Sequence, residues 1–144
     1  MDTVIAIDPA ELHDTVLALD NVKHLKMTSQ VAGDEIERIL GPERKISVLT
    51  CDANRHPKFV AEMLSPVVKY LKEGGLMVIT MKFQVRKRKK HAGDSAASVE
   101  KQLKDGFAER GLNLTGMRSV WLLSNTAFER TILARVAGGP GEGR

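Results

Sequence analysis

Short apolar runs alternate with stretches of helical period along almost the whole chain, and this alternation most constrains the fold. Thr3–Ile7, Val22–Met27, Ile46–Cys51, Leu76–Phe83, Leu112–Leu123 and Phe128–Val136 read as strands. Between them, Pro9–Leu19, Gly33–Leu40, Lys58–Lys72 and Ser98–Arg110 carry apolar residues at helical spacing. The order is β-α-β-α-β-α-β-α-β-β, an α/β domain. Parallel neighbours need a crossover, and the last two strands have only Ser124-Asn125-Thr126 at their turn. They must therefore be antiparallel, which predicts a mostly parallel sheet with one antiparallel strand near its end. One domain over residues 1–137 is expected, with a disordered Gly-rich tail at 138–144.

Punctuation sets the expected boundaries. Asp8 is placed as the cap of the first helix, with Pro9 at its first position and Glu11 reaching back to the cap. Gly41-Pro42 closes the second helix, and Gly74-Gly75 stops the third, in which Pro66 predicts a kink. Leu76–Phe83 is nearly all apolar, as expected of a strand covered on both faces.

In open α/β sheets, ligands sit beyond the carboxyl ends of the parallel strands. Asp52 follows the third strand, Lys82 ends the fourth, and Glu129 begins the last. Because the last strand is reversed, its start lies on the same rim, so the three groups are expected to converge. Asp8, after the first strand, reaches that rim too. Each has a plainer reading: Asp8 and Asp52 as helix caps, Lys82 as an ordinary strand-end lysine, Glu129 as a solvated strand residue. The single cysteine, Cys51, cannot form an internal disulfide, reads as a small buried hydrophobe and fits a reducing, cytoplasm-like compartment. The four histidines lack metal-ligand spacing, and no metal is assigned. No apolar run approaches the ~20 residues that span a bilayer, and no secretory pattern opens the chain.

These segments resemble the FtsJ-like ribose 2′-O-methyltransferases, within the class I S-adenosylmethionine-dependent fold, which is Rossmann-like. Val4-Ile5-Ala6-Ile7-Asp8-Pro9 looks like the segment whose acidic residue binds the cofactor ribose. Val48–Asn54 is similar to the strand of the catalytic aspartate, and Asp52 also faces the cofactor by this likeness. Gly74–Phe83 closely resembles the strand ending in a catalytic lysine, Lys82. Asn125–Leu133 looks like the last strand, with its catalytic glutamate, Glu129. The likeness covers about residues 4–136 and implies S-adenosyl-L-methionine as cofactor and RNA, by resemblance rRNA, as substrate. Lys82 would be the general base, oriented with the hydroxyl by Asp52 and Glu129. A free lysine is mostly protonated near neutrality, so burial or a second cation would have to favour its neutral form.

The family's Lys-Asp-Lys-Glu tetrad has a first lysine upstream of a strand that ends in a glycine-rich loop. This sequence begins at what would be the second strand and holds no GxGxG-type loop. The expectation is an incomplete methyltransferase domain, with a gap in its sheet, that self-associates or receives a complementing N-terminal segment. The alternative is a non-catalytic remnant that binds RNA or protein through its basic run. That run, Arg86, Lys87, Arg88, Lys89 and Lys90, would lie beside Lys82 and contact phosphates, or be a solvated loop. It also fits a nuclear address, which leaves nucleus or nucleolus open. The net charge of +4 permits an acidic partner without requiring one. Trp121, Tyr70 and the few phenylalanines make no array for stacking bases.

Overall fold

The structure is a computed structural model that describes residues 2–42, 45–53, 55–82, 96–123, 125 and 129–137. In chain order the elements are β1 (Val4–Ile7), α1 (Asp14–Leu17), β2 (Val22–Leu25), a 3-10 turn (Ser29–Val31), α2 (Gly33–Leu40) and β3 (Ile46–Asp52). They continue with α3 (Pro57–Val68), β4 (Leu71–Lys82), α4 (Ala96–Ala108), β5 (Leu114–Val120) and β6 (Glu129–Val136). This is the expected alternation. The basic run at 86–90 and the tail at 138–144 lie outside the described residues.

The strands form two sheets. Among the described residues β1 pairs with β2 alone, in parallel, and a four-stranded sheet has the order β3-β4-β6-β5. β3 and β4 are parallel, and β6 runs against both β4 and β5. The expected reversal of one late strand is therefore present. Because β6 pairs on both sides, however, two of the four ladders are antiparallel. Among the described residues, no strand pairs with the second edge of either β1 or β3.

One face of the larger sheet holds the core. Met77, Ile79 and Met81 of β4 and Ile132 and Ala134 of β6 are buried there. Val60, Leu64 and Val67 of α3 and Val99, Leu103 and Phe107 of α4 belong to the same cluster, with Ile5, Ile7 and Leu25 of the small sheet. Each large side chain so buried contributes about 1.5–3 kcal/mol, which makes this layer the main stabilising force. The helices approach closely at Gly106, where a Cβ would lie 2.9 Å from Ala61 Cβ. On the other face, β4 is only half-buried, and Val48 of β3 is 51% exposed.

Three local expectations are corrected. The first helix begins at Asp14 and not at Pro9. Asp8 Oδ1 accepts from the Ala10 amide at 2.8 Å, which closes a tight local turn, and Glu11 pairs with Lys26 instead of reaching back. The cap is His13, whose Nδ1 accepts from Thr15 N at 3.3 Å. Next, α3 ends at Val68 and β4 starts at Leu71, so Gly74-Gly75 lies inside the strand. Ile46 is opposite Leu71 and Val48 opposite Leu76, so the residues between Leu71 and Leu76 bulge out of the ladder. Gly74 has φ +70°, and a Cβ on Gly75 would lie 2.8 Å from the Lys72 carbonyl oxygen, so both glycines are required by the bulge. Third, β5 ends at Val120, leaving Trp121–Leu123 beyond the strand. α3 continues across Pro66; the Glu62 carbonyl, which lacks a proline N–H, accepts from Ser65 Oγ at 2.9 Å.

Candidate active site

The carboxyl rim of the larger sheet collects the ionisable residues singled out in the sequence. β3 ends at Asp52, β4 ends at Lys82, and β6, running the other way, starts at Glu129. Lys82 and Glu129 are register partners. Their side chains form an ion pair with Nζ 3.5 Å from Oε1, the lysine 38% exposed and the glutamate 15%. Asp52 is opposite Thr80, and Thr80 is opposite Thr131. Strand alternation then puts Asp52, Thr80, Lys82, Glu129 and Thr131 on one face, the face away from Met77, Ile79 and Met81.

The frame around the pair is fixed by further hydrogen bonds. Thr131 is 1% exposed and donates from Oγ1 to Asn125 Oδ1 at 3.3 Å. Arg130 Nη1 donates to the Glu129 carbonyl oxygen at 2.6 Å. Asp52 does not cap α3: His56 does, with Nδ1 accepting from Lys58 N at 3.4 Å and Pro57 at the first helical position. The exposed Asp52 carboxylate is thereby left at the rim. Cys51, directly before it, is half-buried on the opposite face. Burial pushes its thiol up from the ordinary range; a backbone hydrogen bond from Ala53 opposes this, and the charge of Asp52 adds to it.

Asp8 belongs to the small sheet and not to the larger one. It follows β1 in the small sheet, exposed, with its amide bonded to the Leu25 carbonyl oxygen at 3.2 Å and its own carbonyl oxygen 3.1 Å from His24 Nε2. No ladder among the described residues ties β1 to β3, so Asp8 and Asp52 lie on separate sheets. The proposed RNA contacts Arg86, Lys87, Arg88, Lys89 and Lys90 lie outside the described residues. Thr80 and Thr131, which sit between Asp52 and Glu129, carry no mark in the sequence, and Trp121, set aside there for want of an aromatic array, directly follows the rim end of β5. The signal for Trp121 was its position at the end of a strand running the same way as β4.

A nucleoside-bearing cofactor would find acidic acceptors for its hydroxyl groups in Asp8 and Asp52. Its charged amino-acid end calls for a cradle of backbone N–H groups, and the sequence offers no glycine-rich loop for one. The residues fit only half of such a group. Among the described residues there is no cluster of three or more metal-ligating side chains. No helix among them is long and apolar enough to cross a membrane.

No family model matches the chain, and no curated protein matches it. Solved structures do. The fibrillarin pre-rRNA processing protein of Methanococcus jannaschii superposes with a TM-score of 0.66 at 20% identity, over 95% of this chain and 57% of that one. Aeropyrum pernix fibrillarin, with natively bound S-adenosyl-L-methionine, gives 0.62 at 18% identity, over 92% and 55%. An rRNA methylase of Streptococcus thermophilus gives 0.53 at 13% identity, over 94% and 74%. The chain thus spans little more than half the length of the two fibrillarins. It has the mixed α/β, Rossmann-like fold of S-adenosylmethionine-dependent methyltransferases.

Proposed function

We propose that this chain is the greater part of an S-adenosylmethionine-dependent RNA ribose 2′-O-methyltransferase domain of the FtsJ-like kind. The observation that carries the reading is the Lys82–Glu129 ion pair, with Asp52 on the same face, at the ligand-binding rim of a methyltransferase-fold sheet. The cofactor supplies an electrophilic methyl group. This chain's residues would manage the acceptor hydroxyl. Lys82 Nζ would take the single proton of that hydroxyl, given a second cation to favour the neutral amine against the charge of Glu129, and Asp52 and Glu129 would hold the ammonium so formed. Asp8 would accept from the cofactor ribose, and Arg86–Lys90 would contact RNA phosphates.

A parallel strand between β1 and β3 would join the two sheets, carry the glycine-rich loop and bring Asp8 into line with Asp52. The two unpaired edges favour that completion, since exposed strand edges take up further strands. Such a strand is the complementing segment of the reading.

Calorimetric titration with S-adenosylhomocysteine tests it, with Asp8→Ala as control. The expected result is micromolar binding that Asp8→Ala abolishes, and, once the complementing strand is supplied, methyl transfer to rRNA fragments that Lys82→Ala abolishes. A folded chain that binds no S-adenosylhomocysteine overturns catalysis by this polypeptide alone. The alternative, a non-catalytic domain that binds through its basic run, would then stand.

A further inference from the structure

Three consecutive large apolar residues are exposed beside the rim: Trp121 (57%), Leu122 (44%) and Leu123 (97%). Such a run on a polar surface costs solvation and marks an interaction site when it is ordered. This one is ordered from below. Asn125 is 8% exposed, and its Oδ1 accepts from Leu122 N at 2.8 Å and from Thr131 Oγ1 at 3.3 Å. Asn125 N in turn donates to the Leu122 carbonyl oxygen at 2.9 Å. The apolar turn is thus fastened to β6 through the buried Thr131, two residues from Glu129.

Strand register gives its distance from Lys82. Val120 is opposite Thr131, and Thr131 is opposite Thr80. Two inter-strand steps put the end of β5 roughly 10 Å from β4, along the same rim. Arg118, exposed, shares the face of Val120 and of the ion pair. Exposed Trp121 at the rim end of β5 and exposed Arg118, three residues before it, offer an aromatic face and a cation on the strand two places from Lys82, which suits a nucleotide chain better than an apolar protein surface. Every base has a face to stack, and each phosphate takes a cation.

We infer that Trp121 is a stacking platform for an unpaired base of the RNA, placed so that a ribose at Lys82 sends its own or an adjacent base to the indole. The inference rests on the RNA-methyltransferase reading and adds to it a residue that selects unpaired RNA over duplex.

Trp121 is the sole tryptophan of the chain, so its fluorescence reports the site directly. The full chain is titrated with a single-stranded oligoribonucleotide, with the same strand carrying abasic positions, and with the duplex. Saturable quenching by the single strand alone is expected. With an end-labelled strand followed by anisotropy, Trp121→Ala should weaken binding about 5- to 150-fold, and Trp121→Phe should restore most of it. RNA that binds wild type and Trp121→Ala equally overturns the stacking platform while leaving the RNA reading intact. A wild-type chain that binds no RNA overturns both. Emission that shifts with protein concentration, without RNA, would put a second copy on the turn and overturn the assignment.

Discussion

Lys82 and Glu129 meet as direct partners across the β4–β6 ladder, 3.5 Å from Nζ to Oε1, at the point where both strands reach the carboxyl rim of the larger sheet. The ladder holds the two Cβ atoms of such partners about 4.5–5.5 Å apart, which keeps the amine and the carboxylate within reach of each other whatever rotamers they adopt along the strand face. The reversed direction of β6 is what makes this juxtaposition available. In an all-parallel sheet, the first residue of a strand lies on the far edge.

That geometry separates chemistry from stability. A partly exposed ion pair contributes about 0–1 kcal/mol. Lys82→Met and Glu129→Gln should therefore move the urea-unfolding free energy by less than about 1 kcal/mol. Methyl transfer by the completed domain should fall about 100-fold or more with either change, the usual scale for a proton-handling group. Equal losses of stability and activity would instead make the pair structural.

Gly106 gives a packing prediction. Alanine there gains up to about 1 kcal/mol in helix propensity. Its Cβ, however, would stand 2.9 Å from Ala61 Cβ, an atom that cannot swing away. Overpacking costs about 1–3 kcal/mol. Gly106→Ala should therefore destabilise by about 1–2 kcal/mol, and Ala61→Gly in the same chain should restore part of it. Urea denaturation of the two single variants and the double variant measures both terms.

Much of this arrangement was legible in the sequence because its signals are local. Apolar runs set the strands, the short Ser124-Asn125-Thr126 link forced an antiparallel pair, and chain direction then put Asp52, Lys82 and Glu129 on one rim. Where local signals have two uses, the reading went astray. Asp8-Pro9 has the form of a helix start, yet its carboxylate closes a turn two residues on, and Glu11 prefers Lys26. Gly74-Gly75 has the form of a helix stop, yet it forms a bulge inside β4, because Ile46 and Val48 must both find partners across it. Trp121 was legible as a residue but not as a rim residue, since the end of β5 is set by its ladder with β6 and not by its own apolar run.

The split sheet predicts uneven protection. β4 and β6 are bonded on both sides, whereas among the described residues β1 and β2 pair only with each other and are held to the core by Ile5, Ile7 and Leu25. In hydrogen exchange followed by mass spectrometry, amides of Val4–Ile7 and Val22–Leu25 should exchange about tenfold or more faster than those of β4 and β6. Uniform protection across both sheets would mean that the small sheet is held as firmly as the large one. A segment that fills the gap between β1 and β3 should slow exchange in both of those strands and leave β5 unchanged.

Cys51 offers a pH-dependent readout of the neighbouring rim. Its thiol is raised chiefly by burial, with the Asp52 charge adding to the effect. A group whose folded pKa lies above its unfolded value binds more protons in the folded state, so stability falls as pH rises through the unfolded thiol range near ~8.5. Urea-unfolding free energy should therefore decline more steeply above that pH for the wild type than for Cys51→Ala. As the sole cysteine, Cys51 can also be followed with a disulfide reagent. The folded chain should react more slowly than the urea-unfolded chain at mildly alkaline pH, because the thiolate is the nucleophile. Removing the adjacent charge with Asp52→Asn should speed the reaction of the folded protein while leaving the unfolded rate unchanged. An unchanged folded rate in Asp52→Asn would show that the carboxylate at the rim exerts no field on the strand behind it.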